Sequence, residues 1–373
     1  MLMNSPIFWK ESVVPEIMCH RRAPRQRRAG ATVGRWLQRL TSRRTRGNTM
    51  RVMLTGGTGF IGGHVLRALV DAGHEPRALV RSSDKLDQMR AAQGIDDAID
   101  HVVGDMTDPD SVAEALRGCD ACIHTAAFTS LDPEQMHLAL EVNAPGAINV
   151  LDTAAAVGCD PIVHLSTMSV IFPPTGDVLS GHDPVQGGGN PYNASKAIAE
   201  EHARGMQDAG APVNIIYPAG VTGPTDLGLN VLAANLIPTL QSEIMMSLAS
   251  GGWLLVDVRD LAKALVGLLQ PGRGPQRYVA GGTYMDWDEF HAVVSEVTGC
   301  DRALFPTPRE ALEQMVDAEA VEIMLGIVPG DDAGLLADSG LGSWRPVEET
   351  LHDTVAWLIV GGLLEADRAP NCV

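Results

Sequence analysis

Tyr192 and Lys196 form the pair of residues whose types and spacing most directly suit acid–base chemistry. They stand four positions apart in the segment Y-N-A-S-K, and this spacing places both on one face of a helix. A phenol with a pKa of about 10 is a poor acid or base at neutral pH, but a neighbouring ammonium favours the phenolate and lowers that pKa. The pair therefore suits proton exchange with an alcohol or carbonyl oxygen, although ordinary surface helices also carry this spacing.

Ser166 and Thr167 directly follow an apolar run at 161–165 that predicts a strand. A hydroxyl at the end of this strand can point into a cleft and hydrogen-bond the same substrate oxygen as Tyr192. We interpret Thr167 as the catalytic group and Ser166 as a cofactor or structural partner. Capping of the strand end is the alternative for both.

A glycine-rich turn opens the first strand–helix unit. The stretch M-R-V-M-L-T-G-G-T-G-F-I-G at 50–62 joins a short apolar run to Gly56, Gly59 and Gly62, and helical spacing of apolar residues continues to Gly73. Such a turn brings backbone N–H groups and a helix N-terminus against a pyrophosphate. A second predicted strand about twenty residues further on favours a dinucleotide site over a tight turn that binds nothing.

Strands and helices alternate through the first part of the chain. Predicted strands cover 52–54, 75–80, 101–103, 121–124, 161–165 and 213–217, and the predicted helices between them include 109–118, a segment ending at 158, and 192–209. This alternation predicts an α/β fold with a parallel, doubly wound sheet. Ligands of such sheets bind at the carboxyl ends of the strands, and every motif described above falls at such an end or just after it.

The rhythm changes beyond Pro224. We predict helices at 230–248, 261–269, 287–298 and about 348–359, and a strand at 278–280. We interpret 1–49 as a basic, disordered extension and 50–228 as the nucleotide-binding domain, with 250–285 returning to it. Residues 229–249 and 286–373 would form a smaller, mostly helical substrate lobe.

Charge is distributed unevenly along the chain. The net charge is −18, and residues 1–49 hold eleven Lys and Arg against two Glu, a surplus of nine that leaves −27 on the remainder. This acidic body argues against nucleic-acid binding. No apolar run reaches the roughly 18 residues that span a bilayer, and the apolar core of a secretory signal is absent. We therefore expect a cytoplasmic protein without a membrane span.

The basic extension and the cysteines predict no site of their own. Apolar spacing at 33–40 fits a short amphipathic helix, as in a membrane-surface anchor, a targeting segment or a nucleic-acid arm, but we favour a disordered tail or a misassigned translation start. Cys119 and Cys122 form a C-x-x-C at the entry to an apolar run, which we interpret as small core residues. Because no second pair stands at zinc spacing, we predict no metal site.

Eight segments carry a resemblance to a known family. They are T-G-G-T-G-F-I-G at 55–62, G-D-M-T-D at 104–108, H-T-A-A at 124–127, V-N-A-P-G at 142–146, H-L-S-T at 164–167, Y-N-A-S-K at 192–196, Y-P-A-G-V-T-G-P at 217–224 and D-V-R-D-L-A at 257–262. Together they resemble the extended short-chain dehydrogenase/reductase superfamily, the NAD(P)-dependent epimerase/dehydratase group that includes dihydroflavonol-reductase-like and 3-beta-hydroxysteroid-dehydrogenase-like enzymes. The resemblance covers most of 50–285 and implies a Rossmann-type fold without specifying a substrate.

The resemblance also implies roles for particular positions. Thr167, Tyr192 and Lys196 would be catalytic, with Tyr192 as acid/base and Lys196 also binding ribose hydroxyls. The cofactor-binding residues would be Gly56, Gly59 and Gly62 at the pyrophosphate, with Thr58, Phe60 and Ile61 of the same turn, Asp105 and Met106 at the adenine, Ala126 near the nicotinamide ribose, Pro218 near the carboxamide, and also Ser166, Tyr192 and Lys196. Asn143 matches a structural or proton-relay position. A homodimer that pairs helix 110–117, or its successor after 132, and helix 192–209 of each subunit is a further implication.

Two positions depart from the pattern of other members. The second strand ends with Val80 and Arg81, where NAD-preferring members place a carboxylate on the ribose 2′-hydroxyl. Because a guanidinium can bind a 2′-phosphate bidentately, we predict NADP(H), with NAD(H) as the alternative; Arg81 as a solvated loop charge is the alternative interpretation. Met168 and Ser169 follow Thr167 where sugar 4,6-dehydratases carry an Asp-Glu pair, which disfavours dehydration.

These observations predict an NADP(H)-dependent oxidoreductase that transfers hydride between nicotinamide and a carbonyl or secondary alcohol. The substrate would be small and moderately apolar, in a pocket lined by Phe128 and Met168 together with Phe172, Met245 and Met246, although each of these fits core packing equally well. The alternatives are an NAD-dependent nucleotide-sugar epimerase and a non-catalytic NADP-binding redox regulator. Such regulators commonly lack the Tyr–Lys pair that this chain keeps.

Overall fold

The first half of the described chain alternates strands with helices. The computed structural model describes residues 49–129, 133–316 and 318–373, so the predicted basic extension lies, up to residue 48, outside the described residues. The elements are β1 (Arg51–Thr55), α1 (Phe60–Asp71), β2 (Glu75–Val80), α2 (Ser83–Ala92), β3 (Asp100–Val103), α3 (Pro109–Leu116), β4 (Ala121–His124), α4 (Leu138–Val157), β5 (Ile162–Leu165), α5 (Pro191–Asp208) and β6 (Val213–Pro218).

The second half mixes short strands with helices. Its elements are β7 (Gly220–Thr222), α6 (Val231–Gln241), β8 (Ile244–Ser247), β9 (Trp253–Asp257), α7 (Val258–Gly267), β10 (Gln276–Ala280), β11 (Thr283–Met285), α8 (Trp287–Thr298), β12 (Ala303–Pro306), α9 (Arg309–Met315), α10 (Ala318–Gly326), α11 (Ala333–Ser339) and α12 (Val347–Val360).

Seven strands form one sheet in the order β10-β6-β5-β4-β1-β2-β3. Every neighbouring pair in it is parallel, so the carboxyl ends of all seven strands lie along one edge. The strand order reverses between β1 and β4, which is where doubly wound sheets open a crevice for ligands. The predicted α/β class, a Rossmann-type doubly wound parallel sheet, is confirmed.

The two faces of this sheet are covered by different helices. On one face Leu54 packs in a cluster with Leu66 of α1 and Leu261 of α7. On the other face Met53 packs in a cluster with Leu151 of α4 and with residues of α3 and α5. Because successive side chains of a strand alternate between faces, strands buried on both sides are mostly apolar. This explains the short, continuous apolar runs that made the strands legible in the sequence.

Cys119 and Cys122 lie in the second of these clusters, with 3% and 0% of their surface exposed. Neither forms a disulfide bond. Burial raises the pKa of Cys119 to about 11, and that of Cys122 also lies well above its ordinary value. A thiol that stays protonated at neutral pH is a poor nucleophile, in agreement with the prediction of small core residues.

The predicted helix at 230–248 is wrong in its second half. Helix α6 ends at Gln241, and Ser242 adopts an extended conformation with φ −81° and ψ 151°. The next residues form β8, which pairs in parallel with β12. A second small sheet has the order β11-β9-β7. The sequence predicted only β10 among the strands of this half, because strands of three to five residues acquire their stability from partners that are distant in the chain.

A cluster of charged side chains attaches α12 to the start of α7. Thr350 donates a hydrogen bond to the Asp257 carboxylate over 2.9 Å. Arg259 bridges Asp257 and Asp353, at 2.6 Å from an oxygen of each. Burial alone would raise the pKa of Asp257, but the hydrogen bonds from Arg259 hold it below its ordinary value. The cluster therefore fixes the C-terminal helix against the domain that carries the main sheet.

Candidate active site

Helix α5 carries Tyr192 and Lys196, and its start is defined by a side-chain cap. Asn190 accepts a hydrogen bond from the backbone N–H of Asn193 over 2.9 Å, and Pro191 occupies the first helical position, where its missing N–H costs nothing. The predicted helix at 192–209 is thus present and begins one residue earlier. Tyr192 lies in the first turn, and Lys196 follows one turn later, as the spacing predicted.

Lys196 reaches toward the main sheet rather than toward Tyr192. Its Nζ donates to the carbonyl oxygen of Leu165, the last residue of β5, over 2.7 Å. The side chain is 4% exposed, and burial lowers its pKa to about 8. Burial also raises the pKa of Tyr192 to about 12. The expected lowering of the Tyr192 pKa by Lys196 is therefore not met, because desolvation of the phenol raises this pKa.

A chain of hydrogen bonds begins at Thr167, just beyond the end of β5. Thr167 Oγ1 lies 3.0 Å from Ser169 Oγ, and Ser169 Oγ donates to Asn193 Oδ1 over 2.8 Å. Asn193 Nδ2 in turn donates to Glu319 of α10 over 2.5 Å. The structure therefore connects the predicted catalytic hydroxyl to the start of α5 and to α10.

Ser169, Asn193 and Glu319 were not among the predicted site residues. The sequence marks Ser169 only as a position where sugar 4,6-dehydratases carry a carboxylate. Asn193 lies inside the Y-N-A-S-K segment, where its small polar side chain was the available signal. Glu319 stands 126 positions from Asn193, and nothing in its neighbourhood in the sequence marks it. Ser166, in contrast, is 4% exposed, and its hydroxyl has no partner among the described residues.

The glycine turn brings the start of α1 against the end of β1. Gly56 has φ 78°, a conformation that side-chain-bearing residues rarely adopt. A Cβ atom added to Gly62 would lie 2.0 Å from the carbonyl oxygen of Gly56, so the helix can approach the turn this closely only without a side chain. Gly59 caps α1 without a side-chain hydrogen bond, which leaves the N–H groups of Phe60 and Ile61 at the turn for a ligand.

The segment after β4 lies beside this turn. Thr125 Oγ1 donates to the carbonyl oxygen of Thr55 over 2.8 Å, and a Cβ on Gly56 would lie 2.8 Å from the backbone nitrogen of Ala126. Ala126 and the glycine turn are therefore neighbours, as predicted for two parts of one cofactor site. Asn143 fixes the same segment, because its side chain accepts from Phe128 N over 2.6 Å and donates to Phe128 O over 3.0 Å.

Comparison with known proteins assigns the family. The family model that matches residues 52–281 is described as the NAD dependent epimerase/dehydratase family. The chain belongs to this family. Within it, the chain is an NAD(P)-dependent oxidoreductase of the extended short-chain dehydrogenase/reductase type, because its relatives are named reductases and dehydrogenases.

Two curated relatives illustrate the similarity. A putative dihydroflavonol 4-reductase of Synechocystis is 29% identical over 267 residues, which cover 69% of this chain and 74% of that protein. A 2-alkyl-3-oxoalkanoate reductase of Stenotrophomonas maltophilia is 34% identical over 184 residues, which cover 48% of this chain and 52% of that protein.

Solved structures share the fold at lower identity. The terminal R domain of the myxalamid PKS-NRPS pathway superposes with a TM-score of 0.71 at 20% identity, covering 86% of this chain and 93% of that one. A UDP-glucose-4-epimerase of Stenotrophomonas maltophilia with bound NAD has a TM-score of 0.69 at 17% identity, covering 84% and 99% of the two chains.

The residues of this family member fit a dinucleotide along the edge formed by the strand ends. Beyond the close glycine turn, the adenine end of the predicted site is formed by the ends of β2 and β3. Met106 packs against Gly146 of α4, where an added Cβ would lie 2.7 Å from Met106 Cγ. Asp105 Oδ1 accepts hydrogen bonds from the backbone and hydroxyl of Thr107 over 2.8 and 2.7 Å. Pro218 is the last residue of β6, which lies on the other side of β1 from β2 and β3 in the sheet, and it is buried.

Arg81 directly follows the buried end of β2. Val80 is 3% exposed, whereas Arg81 is exposed and makes no hydrogen bond or salt bridge to any residue that the structure describes. Ser82 caps α2 by accepting from Lys85 N over 3.3 Å. The position where a carboxylate would bind a ribose hydroxyl thus holds the apolar Val80. The next residue, Arg81, has a guanidinium without a partner among the described residues, at the N-terminus of α2.

The residues predicted to contact substrate lie in different parts of the structure. Phe128 and Met168 are partly buried near the ends of β4 and β5, and Met168 packs against the second core cluster. Phe172 lies near α10, where a Cβ on Gly326 would be 3.2 Å from its ring. Met245, however, is 3% exposed in a separate core cluster with Phe290 and Leu351, so its role is packing. Met246 packs at the edge of a smaller cluster there.

The described residues contain neither a cluster of metal-ligating side chains nor a membrane-spanning helix. Among the described residues, no group of three or more His, Cys, Asp and Glu side chains is arranged to hold a metal ion. None of the helices in residues 49–129, 133–316 and 318–373 has the length and apolar character required to cross a membrane.

Proposed function

We propose that this protein is an NADP(H)-dependent oxidoreductase that interconverts a carbonyl and a secondary alcohol on a small, moderately apolar substrate. Bound NADP(H) would supply or accept the hydride. The observation that carries the proposal is the position of Lys196. Its Nζ contacts the last carbonyl of β5, directly before Ser166 and Thr167 and one helical turn from Tyr192. All the proposed groups therefore lie at the same edge of the sheet as the glycine turn.

Tyr192 is the proposed proton donor and acceptor at the substrate oxygen. With a pKa of about 12, its hydroxyl keeps its proton at neutral pH and can donate it to a carbonyl oxygen during reduction. No described residue hydrogen-bonds to this hydroxyl, so it is available to substrate. Lys196 has three N–H donors, of which Leu165 takes one, and the remaining donors suit ribose hydroxyls.

Replacement of Tyr192 by phenylalanine tests this assignment. Tyr192→Phe should lower turnover by at least about 100-fold, while the dissociation constant for NADPH stays within about twofold, because the glycine turn and Lys196 still hold the cofactor. Tyr284→Phe is the matched control, since the Tyr284 hydroxyl bonds only the Gly251 carbonyl among the described residues. Tight NADPH binding without turnover of any carbonyl substrate in the wild type would favour the redox-regulator alternative.

The preference for NADP(H) is proposed from the end of β2. Val80 cannot bind a ribose hydroxyl, and the unpaired guanidinium of Arg81 beside the N-terminus of α2 suits a 2′-phosphate. Arg81→Ala should raise the Michaelis constant for NADPH about tenfold or more and leave that for NADH nearly unchanged. Arg67→Ala, which removes a surface pair with Asp71, is the control. Equal effects on both cofactors would contradict the assignment.

Mass spectrometry of the cofactor that copurifies separates the remaining alternative. NADP(H) in the purified protein would support the proposed reductase. Tightly retained NAD would instead support a nucleotide-sugar epimerase, which must keep its cofactor through a full cycle.

A further inference from the structure

Glu319 of α10 holds the start of the helix that carries Tyr192 and Lys196. Its carboxylate accepts a hydrogen bond from Asn190 Nδ2 over 2.8 Å and another from Asn193 Nδ2 over 2.5 Å. The preceding loop packs against the same group, because a Cβ on Gly189 would lie 3.3 Å from Glu319 Oε2. A carboxylate of α10 thus contacts the first turn of α5 and the residue that caps it.

The chemistry of these groups gives the hydrogen bonds a single direction. An ionised carboxylate only accepts, so Asn193 must turn its NH₂ group toward Glu319 and its Oδ1 toward Ser169. Ser169 then uses its only hydroxyl proton to donate to Oδ1, at 2.8 Å. It follows that Thr167 donates its own proton to Ser169 across their 3.0 Å contact. We refer to Glu319, Asn193, Ser169 and Thr167 as the polar relay.

We propose that Glu319 is a positioning residue that fixes the direction of the polar relay, so that Thr167 meets the substrate as a hydrogen-bond acceptor. The inference rests on the proposed role of Thr167 at the reacting oxygen. Because the Thr167 proton is committed to Ser169 and one of its two lone pairs accepts from Ser169 N over 3.4 Å, only the second lone pair is left for the substrate. An alcohol can donate its O–H to that lone pair, whereas a carbonyl oxygen has no proton to donate. The relay therefore favours the alcohol form of the substrate over the carbonyl form.

Kinetics with matched alcohol and ketone pairs test the direction of the relay. The probes are 1-phenylethanol with acetophenone and cyclohexanol with cyclohexanone. In Glu319→Gln the new amide can present either its oxygen or its NH₂ group to Asn193, so the direction is no longer fixed. We expect the KM for the alcohol to rise about tenfold relative to the KM for its ketone, the effect of losing one good hydrogen bond.

A second substitution should restore the direction of the polar relay with the negative charge moved from position 319 to position 193. In the double variant Asn193→Asp/Glu319→Gln, the aspartate accepts from Ser169 and from the glutamine NH₂ group, while the glutamine oxygen still accepts from Asn190. The ratio of the two KM values should return to within about twofold of wild type. A role in packing alone would not be restored in this way. The inference is overturned if Glu319→Gln moves both KM values equally, or if the double variant matches the single one.

Two further measurements keep the outcome unambiguous. Glu322→Gln is the control on the same helix, because Glu322 pairs with Arg309, and its KM ratio should stay at the wild-type value. Thermal unfolding needs no substrate: Asn193→Asp places two carboxylates together and should lower Tm by at least about 3 °C, and adding Glu319→Gln should recover most of that loss. If wild type converts none of the four probes, the proposed function fails for these substrates. Absence of the Tm recovery would overturn the relay itself.

Discussion

Replacing Gly62 by alanine should disrupt cofactor binding through a single methyl group. A Cβ at this position would lie 2.0 Å from the oxygen and 2.5 Å from the carbon of the Gly56 carbonyl, and 2.9 Å from Gly57 N. All three contacts are backbone atoms, which cannot rotate away as a side chain does. The start of α1 must therefore separate from the turn that holds its N-terminus at the end of β1.

The size of the effect follows from this overlap. Ordinary contact between such atoms requires about 3.5 Å, so the helix start must move by roughly 1.5 Å. Overpacking of this kind costs about 1–3 kcal/mol of folding stability. A displacement of about 1 Å in a positioning element costs about 100-fold in function. We therefore expect the NADPH dissociation constant of Gly62→Ala to rise about 100-fold, or about 2.7 kcal/mol.

Fluorescence titration with NADPH measures the affinity, and urea unfolding measures the stability. Gly205→Ala is the matched control, because Gly205 is also helical and nothing lies within 4 Å of its added Cβ. That variant should bind NADPH normally and gain about 0.5–1 kcal/mol. Binding by Gly62→Ala within twofold of wild type, or an equal loss in Gly205→Ala, would refute the close-approach reasoning.

Two other predictions concern stability as a function of pH. Burial lowers the pKa of Lys196 to about 8, whereas an unfolded lysine has a pKa of about 10.4. Between these two pH values the unfolded chain therefore binds more protons at this position than the folded chain does. The free energy of unfolding should rise with pH across this range because of Lys196. Urea unfolding near pH 8 and near pH 10 should show a smaller rise in Lys196→Met, and an unchanged slope would contradict the buried ammonium. The pKa of Asp257 is held below its ordinary value, so its contribution is complete above pH about 4 and disappears as pH falls through the depressed pKa. Asp257→Asn should lose about 3 kcal/mol at neutral pH and much less in acid; equal Tm values at neutral pH would show that the cluster with Arg259 is not stabilising.

The features that the sequence predicted best are those encoded in short, local patterns. The strand limits of β2 and β4 and the helix at 287–298 were predicted without error, because apolar periodicity and adjacent Gly, Asn or Asp signals occur within a few residues. The glycine turn was equally legible, since Gly56 and Gly62 act within one strand–helix unit. The Tyr192–Lys196 spacing was also read correctly. The expected effect of Lys196 on the Tyr192 pKa was not met, because Lys196 donates to the carbonyl of Leu165 in another segment and burial raises the pKa of Tyr192.

Features that depend on distant pairing could not be predicted. The sequence predicts Ile244–Ser247 as the end of a helix because this segment has no alternation, whereas the structure pairs it as strand β8 with Ala303–Pro306, which begins 59 residues later. The small sheet of β7, β9 and β11 escaped prediction for the same reason. In physical terms, the patterns of the first half describe surfaces buried by neighbouring elements, whereas those of the second half are completed by long-range contacts.

The same division separates the two sides of the candidate active site. The predicted cofactor residues lie at strand ends and in the turns that directly follow them, so short local motifs in the sequence predict a dinucleotide site. The substrate side meets α10, where Glu319 holds the start of α5 and Gly326 lies close to Phe172. A change in α10 can therefore alter the proton arrangement at Thr167 without altering any residue of the recognisable motifs.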